Sequence, residues 1–104
     1  MIITTTDEIP GKKIIQTLGL IKGNTARSRN VGRDIFAFAK NIVGGEVLEY
    51  TKLIAESREQ AMDRMKEEAE KMGANAIVCL RFSSTTISGG VSEVLVYGTA
   101  VKIE

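Results

Sequence analysis

The sequence predicts an α+β domain, with helices covering one face of an antiparallel sheet. Two observations lead to this class. Apolar residues follow a helical spacing in the middle of the chain, whereas the stretches before and after are typical of strands. The length of 104 residues lies within the usual range of one domain, and 43% hydrophobic with 26% charged residues is typical of a globular protein. We therefore interpret residues 1–104 as one domain with the order β-α-α-β-β.

The first half of the chain predicts a strand, a loop and a short helix. Residues 12–22 are rich in β-branched side chains and are bounded by glycines, which favours a long strand. Residues 24–33 combine Asn, Thr, Ser, Gly and three arginines without hydrophobic periodicity, as loops do. Apolar residues within 35–42 then recur at the i, i+3, i+4, i+7 spacing of one helical face, so we expect a short helix that ends at the Gly44-Gly45 pair.

The second half predicts a long helix followed by a β-hairpin. Residues 46–72 keep apolar steps of three and four, and Gly73 stands where a helix-terminating glycine is expected. Ser57 and Gln60 resemble a capping box, which leaves open an alternative in which this helix breaks at that point. From residue 75 the period changes to two, and a second strand pattern follows Gly89-Gly90.

The last strand is apolar on both of its alternating sides. One side holds Val91, Leu95, Tyr97, Val101 and Ile103, and the other holds Val94, Val96 and Ala100. Helices on one face of the sheet cover only one of these two sides. Burying apolar surface is worth about 25 cal/mol per Å², so the uncovered side favours association once the association costs are subtracted. The pattern therefore predicts a homo-oligomer.

Several short motifs carry a resemblance to a known family. They are Gly23-Asn24-Thr25-Ala26-Arg27-Ser28-Arg29, Val31 to Asp34 entering Ile35-Phe36, Gly44-Gly45-Glu46, Met72-Gly73-Ala74-Asn75-Ala76-Ile77 and Val96-Tyr97-Gly98-Thr99-Ala100-Val101. Over nearly its whole length the chain resembles the YbjQ-like family of small uncharacterised bacterial and archaeal proteins. The resemblance implies a β-α-α-β-β subunit that assembles into a ring-shaped homopentamer. Members of this family are often labelled "putative heavy-metal-binding".

The residues give the metal-binding label little support. The sequence contains no histidine and a single cysteine, Cys79, whereas tight soft-metal sites bring together several thiolate or imidazole ligands. We interpret Cys79 as a small hydrophobic strand residue. The alternative is a symmetric cluster of Cys79 side chains from several subunits. We predict no tight metal site and no cofactor.

Three arginines form a candidate anion site. Arg27, Arg29 and Arg33 lie in the loop before the predicted short helix, where guanidinium groups and backbone amides can hold a carboxylate or a phosphate. The alternative is that they face solvent or the acidic residues of a neighbouring subunit. Residues 22–40 carry a net charge of +4 and residues 46–70 carry −4, so contact between these segments across a subunit boundary would help to fix the assembly.

The sequence contains no recognisable catalytic motif. Without histidine, no serine or cysteine is activated in the Ser–His or Cys–His manner. Carboxylates could in principle form acid–base or hard-metal pairs, but we interpret them as the solvated side of a helix. They are Glu46, Glu49, Glu56, Glu59 and Asp63. No phosphate-binding glycine motif occurs.

Composition also bears on partners and location. A net charge of +1 disfavours nucleic acid as a partner, and no apolar run reaches the roughly 20 residues of a membrane-spanning helix. The single cysteine and the absence of a signal-peptide pattern predict a soluble protein of the cytoplasm.

We expect a non-enzymatic oligomer that binds a small ligand, an anion or a metal ion at a subunit boundary. Two alternatives stay open: an interaction scaffold without such a site, and an enzyme with an intersubunit site.

Overall fold

The computed structural model describes residues 1–27, 46–87 and 91–104. Four strands pair in the order β1-β3-β4-β2, and β1 runs parallel to β3 while the other pairs are antiparallel. A single helix, α1, belongs to the described residues, and no helix within those ranges is long and apolar enough to cross a membrane. The elements in chain order are β1 (Ile2–Ile3), β2 (Ile14–Arg27), α1 (Glu46–Lys71), β3 (Ala76–Ile87) and β4 (Val91–Ile103).

The predicted α+β class is confirmed, and two predicted details are corrected. The sheet is mixed, because the N-terminal segment that looked like a polar opening contributes β1 as a parallel neighbour of β3. The predicted loop begins too early, because Asn24 pairs with Leu95 and Arg27 with Ser92, which extends β2 to Arg27. The predicted short helix over residues 35–42 lies outside the described residues.

Helix α1 is continuous, so the alternative with a break near Ser57 is wrong. Ser57 is 1% exposed and lies four residues before Ala61, which begins a fully buried series with Met65 and Ala69. This i, i+4 spacing places all four residues on one side of the helix. Ser57 is therefore a small residue of the helix–sheet contact.

The end of α1 follows the pattern that the sequence predicts. Gly73 has a φ of +84°, a left-handed conformation that glycine adopts without steric cost. The amide of Gly73 donates to the Glu70 carbonyl at 3.0 Å, and the amide of Ala74 donates to the Ala69 carbonyl at 3.0 Å. These two bonds form a Schellman motif, which satisfies the last carbonyls of the helix and turns the chain into β3.

A close contact at Gly23 fixes the position of α1 over the sheet. A Cβ atom at Gly23 would lie 2.6 Å from the backbone nitrogen of Met65 and closer still to the carbonyl oxygen of Ala61. Only a residue without a side chain therefore allows the helix backbone to lie directly on β2. The helix packs mainly on β2 and β4.

The main core lies between α1 and the sheet, on the side that we call the helix face. Its strand residues alternate with residues of the opposite side, as the pleat requires. Ile77, Val96 and Ala100 are fully buried there, and Ile3 packs against the cluster from β1. The N-terminal strand therefore contributes to the core directly.

Candidate functional site on the open face of the sheet

The side of the sheet away from α1, which we call the open face, is covered only at one end. Val78 and Val101 are buried there, at 4% and 1% exposure, and Ile9 from the N-terminal segment packs over them. A β-bulge at Cys79 shapes this end, because Cys79 has a φ of 58° and the β3–β4 register shifts between Val78 and Arg81. The N-terminal segment therefore closes one end of the open face.

Beyond that end, the open face carries exposed apolar side chains. Leu20 is 74% exposed and Tyr97 is 38% exposed, and Leu95 is half-buried. Leu95 and Tyr97 are two residues apart on β4, so they lie on the same face. Leu20 pairs with Thr99, the next residue of that face. These three side chains form an apolar patch across β2 and β4.

A row of charged residues crosses this patch. Tyr97 pairs with Lys22 on β2 and with Arg81 on β3, and both cations are exposed. Side chains directly opposite one another on neighbouring strands have Cβ atoms about 4.5–5.5 Å apart. Each chain therefore presents one aromatic ring between two positive charges, an arrangement that favours anions over metal cations. We call Lys22, Tyr97 and Arg81 the cationic row.

Hydrogen bonds hold both ends of this surface. Arg81 Nη1 donates to the Thr5 carbonyl at 3.0 Å and to the Leu80 carbonyl at 2.7 Å, which ties the N-terminal segment to the bulge. At the other end, Asn24 Nδ2 donates to Glu93 Oε2 at 3.4 Å. A guanidinium has five N–H donors, so Arg81 keeps several of them for a further acceptor.

The predicted arginine cluster falls mostly beyond the described ranges. Arg27 is the last residue of β2 and pairs with Ser92, whereas Arg29 and Arg33 lie outside the described residues. The structure therefore gives no geometry for the predicted anion site at these three positions.

Cys79 lies in apolar surroundings. The bulge at Cys79 brings Cys79 and Val78 to the same cluster on the open face, whereas the alternation of a regular strand would place them on opposite sides. Its amide donates to the Thr6 carbonyl at 3.0 Å. Among residues 1–27, 46–87 and 91–104, no group of three or more His, Cys, Asp or Glu residues is arranged to hold a metal ion.

The structure describes the side chains of three of the five predicted carboxylates. Glu56, Glu59 and Asp63 are exposed on α1, and the side chains of Glu46 and Glu49 lie outside the described part of the structure. A concavity of about 390 Å³ lies elsewhere, along the single loop Glu8 to Ile14. One contiguous loop brings no distant residues together, so this concavity is a poor candidate for a binding site.

The cationic row was not predicted from the sequence. Lys22 appeared only as the end of a predicted strand, and Arg81 only as one member of an alternating series. Knowledge of the strand register would have revealed the row, since Lys22, Tyr97 and Arg81 become neighbours once the strands are paired. The bulge at Cys79 hides that register, because it changes the side on which each β3 residue lies.

Comparison with known proteins identifies the family of the chain. The YbjQ family model, described as "Putative heavy-metal-binding", matches residues 1–104. The chain belongs to the YbjQ family. A "UPF0145 protein" of Dehalococcoides mccartyi is 51% identical over 104 residues, covering 100% of both chains. A "UPF0145 protein" of the archaeon Methanosarcina acetivorans is 50% identical over 103 residues, which are 99% of this chain and 97% of the relative.

A solved structure supports the fold of this YbjQ-family chain. The crystal structure of a protein of unknown function from Pediococcus pentosaceus, of the DUF74 family, matches with a TM-score of 0.66. It covers 100% of this chain and 98% of the other at 17% identity. At this identity the similarity concerns the fold alone. The relatives named above therefore fix the family and the architecture.

Proposed function

We propose that this YbjQ-family chain works as a non-enzymatic, ring-forming homo-oligomer, a pentamer, that binds a small anion between its subunits. The observation that carries the proposal is the open face of the sheet, where Leu20 is 74% exposed beside the cationic row. An apolar patch on a small domain favours a partner, and the charges beside it favour an anionic ligand.

The apolar patch supports the oligomer. Fully burying one Leu side chain is worth about 1.5–3 kcal/mol, and Leu20 is largely exposed while Tyr97 and Leu95 are only partly covered. Their burial against neighbouring subunits would supply several kcal/mol of order-of-magnitude driving force, from which the costs of association are subtracted. In a ring, every subunit would gain this contribution in the same way.

The cationic row supports an anion as the ligand. Ring symmetry would repeat Lys22, Tyr97 and Arg81 in every subunit, and like charges gathered around an axis raise the local concentration of anions. The same charges oppose a metal cation at this place. Since each chain offers one thiol and no imidazole, a soft-metal site would need Cys79 from several subunits.

Two other functions demand different features. An interaction scaffold would use the apolar patch for a different protein and would not need the cationic row. An enzyme would need an ionisable group adapted to catalysis, together with a cleft that brings it to the substrate. We also propose a cytoplasmic location, because a single cysteine suits a reducing compartment.

The oligomer is tested by light scattering of the purified chain beside Leu20→Ser. We expect one oligomeric species at micromolar concentration and weakened assembly for the variant, with circular dichroism of the helix retained. A wild-type chain that remained monomeric and folded at that concentration would contradict the proposal.

The ligand is tested by thermal unfolding in increasing phosphate. We expect Lys22→Gln to remove most of the phosphate-dependent rise in Tm, because bound anion stabilises the folded state by mass action. Lys12→Gln, which removes an exposed lysine of the N-terminal segment, is the matched control and should retain the rise. Equal stabilisation of both variants would contradict an anion site at the cationic row.

A metal titration tests whether the chain binds a heavy metal, as the family label says, or an anion, as we propose. We expect neither zinc nor copper(I) to bind stoichiometrically at sub-micromolar concentration. Tight binding that is lost in Cys79→Ser would support a symmetric thiolate cluster instead.

A further inference from the structure

The guanidinium group of Arg81 is held by only one of its three nitrogens. Nη1 donates to the Leu80 carbonyl at 2.7 Å and to the Thr5 carbonyl at 3.0 Å. These bonds use both hydrogens of Nη1, and Nε and Nη2 carry the other three N–H donors of the group. Among the described residues, Nε and Nη2 have no hydrogen-bond partner. Arg81 therefore keeps a free pair of parallel N–H donors on one side of its plane.

The Thr5 carbonyl that holds Arg81 belongs to a fixed segment. Thr4, the preceding residue, donates its amide to the Ile77 carbonyl at 2.9 Å. Its carbonyl accepts from the Leu80 amide at 3.1 Å. The guanidinium group is thus oriented before any ligand arrives. Because ordering a long side chain is one of the costs of binding, this orientation favours binding at the free pair of donors.

The charge of the cationic row is not neutralised by the strands that carry it. Strands β2, β3 and β4 contain a single carboxylate, Glu93. Glu93 lies on the same face as Tyr97, but four residues away, which is about 13 Å along a strand. Among the described residues, neither Lys22 nor Arg81 forms an ion pair. An anion that reaches the row therefore meets two positive charges.

Tyr97 adds an aromatic surface between these two charges. Its side chain is 38% exposed, and Leu95 is the next residue of the open face on the same strand. Aromatic rings pair in offset-stacked or edge-to-face arrangements, and such a pair stabilises a complex beyond the apolar area that it buries. A ligand with an aromatic ring would gain this contribution. Acetate and inorganic phosphate would not.

The free donors of Arg81 favour a carboxylate as the charged group of the ligand. Two parallel N–H donors match the two oxygens of a planar carboxylate, in the bidentate arrangement that arginine commonly forms. A phosphate ester has a third terminal oxygen, which lies outside this pair. Lys22 is the other cation of the row, but it lies two strands away from Arg81, about 10 Å between Cα atoms. The pair therefore satisfies a carboxylate more completely than a phosphate.

We propose that the cationic row binds a small aromatic carboxylate, with the carboxylate on the free donors of Arg81 and the ring against Tyr97. Lys22 raises the local concentration of the anion, and this contribution falls as ionic strength rises. The inference rests on the proposed anion-binding function and names the chemical class of the anion.

Fluorine NMR with para-fluorobenzoate tests the class of ligand on the purified chain. Broadening of the fluorine signal reports binding, and displacement by unlabelled competitors ranks their affinities. Benzoate, cyclohexanecarboxylate and acetate carry the same charged group on an aromatic body, on an apolar body and on a methyl group. We expect benzoate to displace the probe at a concentration about three- to tenfold lower than cyclohexanecarboxylate does, because only benzoate can pair with the tyrosine ring. Acetate and phenyl phosphate should be weaker than benzoate.

Variants assign the two parts of the ligand to two residues. Tyr97→Leu keeps an apolar side chain without a ring, so it should abolish the preference for benzoate over cyclohexanecarboxylate. Tyr97→Phe keeps the ring and should retain this preference. Arg81→Lys keeps the charge but loses the pair of donors, and we expect the probe to bind about tenfold more weakly. Lys12→Gln, which removes an exposed lysine of the N-terminal segment, is the control and should leave the titration unchanged.

A folding control accompanies Arg81→Lys. Because Arg81 also holds the Thr5 carbonyl, circular dichroism and Tm of this variant are measured without ligand. The two Tyr97 variants leave that hydrogen bond in place. They therefore decide the outcome if Arg81→Lys does not fold.

Four results would overturn the inference, in distinguishable ways. Equal displacement by benzoate and acetate, while phosphate still raises Tm through Lys22, would refute the aromatic ligand and leave the proposed anion site intact. Tighter binding of phenyl phosphate than of benzoate would show that the ligand is a phosphate ester. Probe binding unchanged in both Tyr97→Leu and Arg81→Lys would place the ligand elsewhere on the chain. If neither the probe nor phosphate binds, the proposed anion binding fails together with this inference.

Discussion

The two faces of β4 differ in what covers them, although both are apolar. On the helix face, Val94 and Val96 are 4% and 0% exposed beneath α1. On the open face, Leu95 is half-buried and Tyr97 is 38% exposed, with no covering element among the described residues. The comparison separates two uses of hydrophobic side chains in one strand. The helix face stabilises the subunit, and we propose that the open face stabilises the assembly.

The largest expected effect is a loss of folding stability when a residue of the helix face is changed. Val96→Asp places a carboxylate in a fully buried site without a partner, and we expect it to destabilise the fold by several kcal/mol or to prevent folding. Leu95→Asp, one residue away on the open face, is the matched control. It should retain the helical circular dichroism signal while the proposed oligomer dissociates in light scattering. Equal loss of folding in both variants would contradict the distinction between the faces.

A smaller effect is expected where α1 lies directly on β2. Gly23→Ala forces the helix backbone away from the sheet, and overpacking of this kind typically costs about 1–3 kcal/mol. Lys22→Ala, on the open face of the same strand, is the control for a change in β2 that leaves the helix contact alone. Urea unfolding of both variants measures the difference. A Gly23→Ala variant as stable as the wild type would show that the helix shifts freely over β2.

The smallest effect is expected on the solvent side of α1. Lys71 Nζ and Glu68 Oε1 lie 3.2 Å apart, and their side chains are 71% and 56% exposed. Exposed ion pairs are worth about 0–1 kcal/mol, so Lys71→Ala should change the urea midpoint by little. Since surface pairs are screened by salt, any difference from wild type should shrink at high ionic strength. A large loss of stability that is independent of salt would contradict this reading of the surface.

The parts of the fold that one local pattern decides are predictable from the sequence. The extent of α1 and its termination at Gly73 follow from periodicity and from the conformational freedom of glycine, and both are confirmed. The apolar character of both sides of β4 also followed from alternation. In the structure one side is buried, as at Val96, and the other is partly exposed, as at Tyr97.

The parts of the fold that distant residues decide are not predictable in this way. β1 contains only two residues, and its pairing with β3 depends on contacts 74 residues away in the chain. The four residues Asn24 to Arg27 have loop-like composition, yet they are strand because β4 supplies partners for them. The cationic row was not predicted for the same reason, since Lys22, Tyr97 and Arg81 become neighbours only through the register of three strands. Long-range pairing overrides local preference in each case.

The short N-terminal segment has a consequence for the outer edge of β3. Thr4 and Thr6 occupy the β3 edge as far as Leu80 and Cys79, and Arg81 fastens the same segment through the Thr5 carbonyl. The carbonyls of Thr4 and Thr6 accept from the two consecutive amides of Leu80 and Cys79, so the N-terminal segment satisfies the backbone groups that the bulge turns away from β4. The first six residues therefore act as a clasp on the bulge, and a chain shortened by these residues would leave both amides without their acceptors.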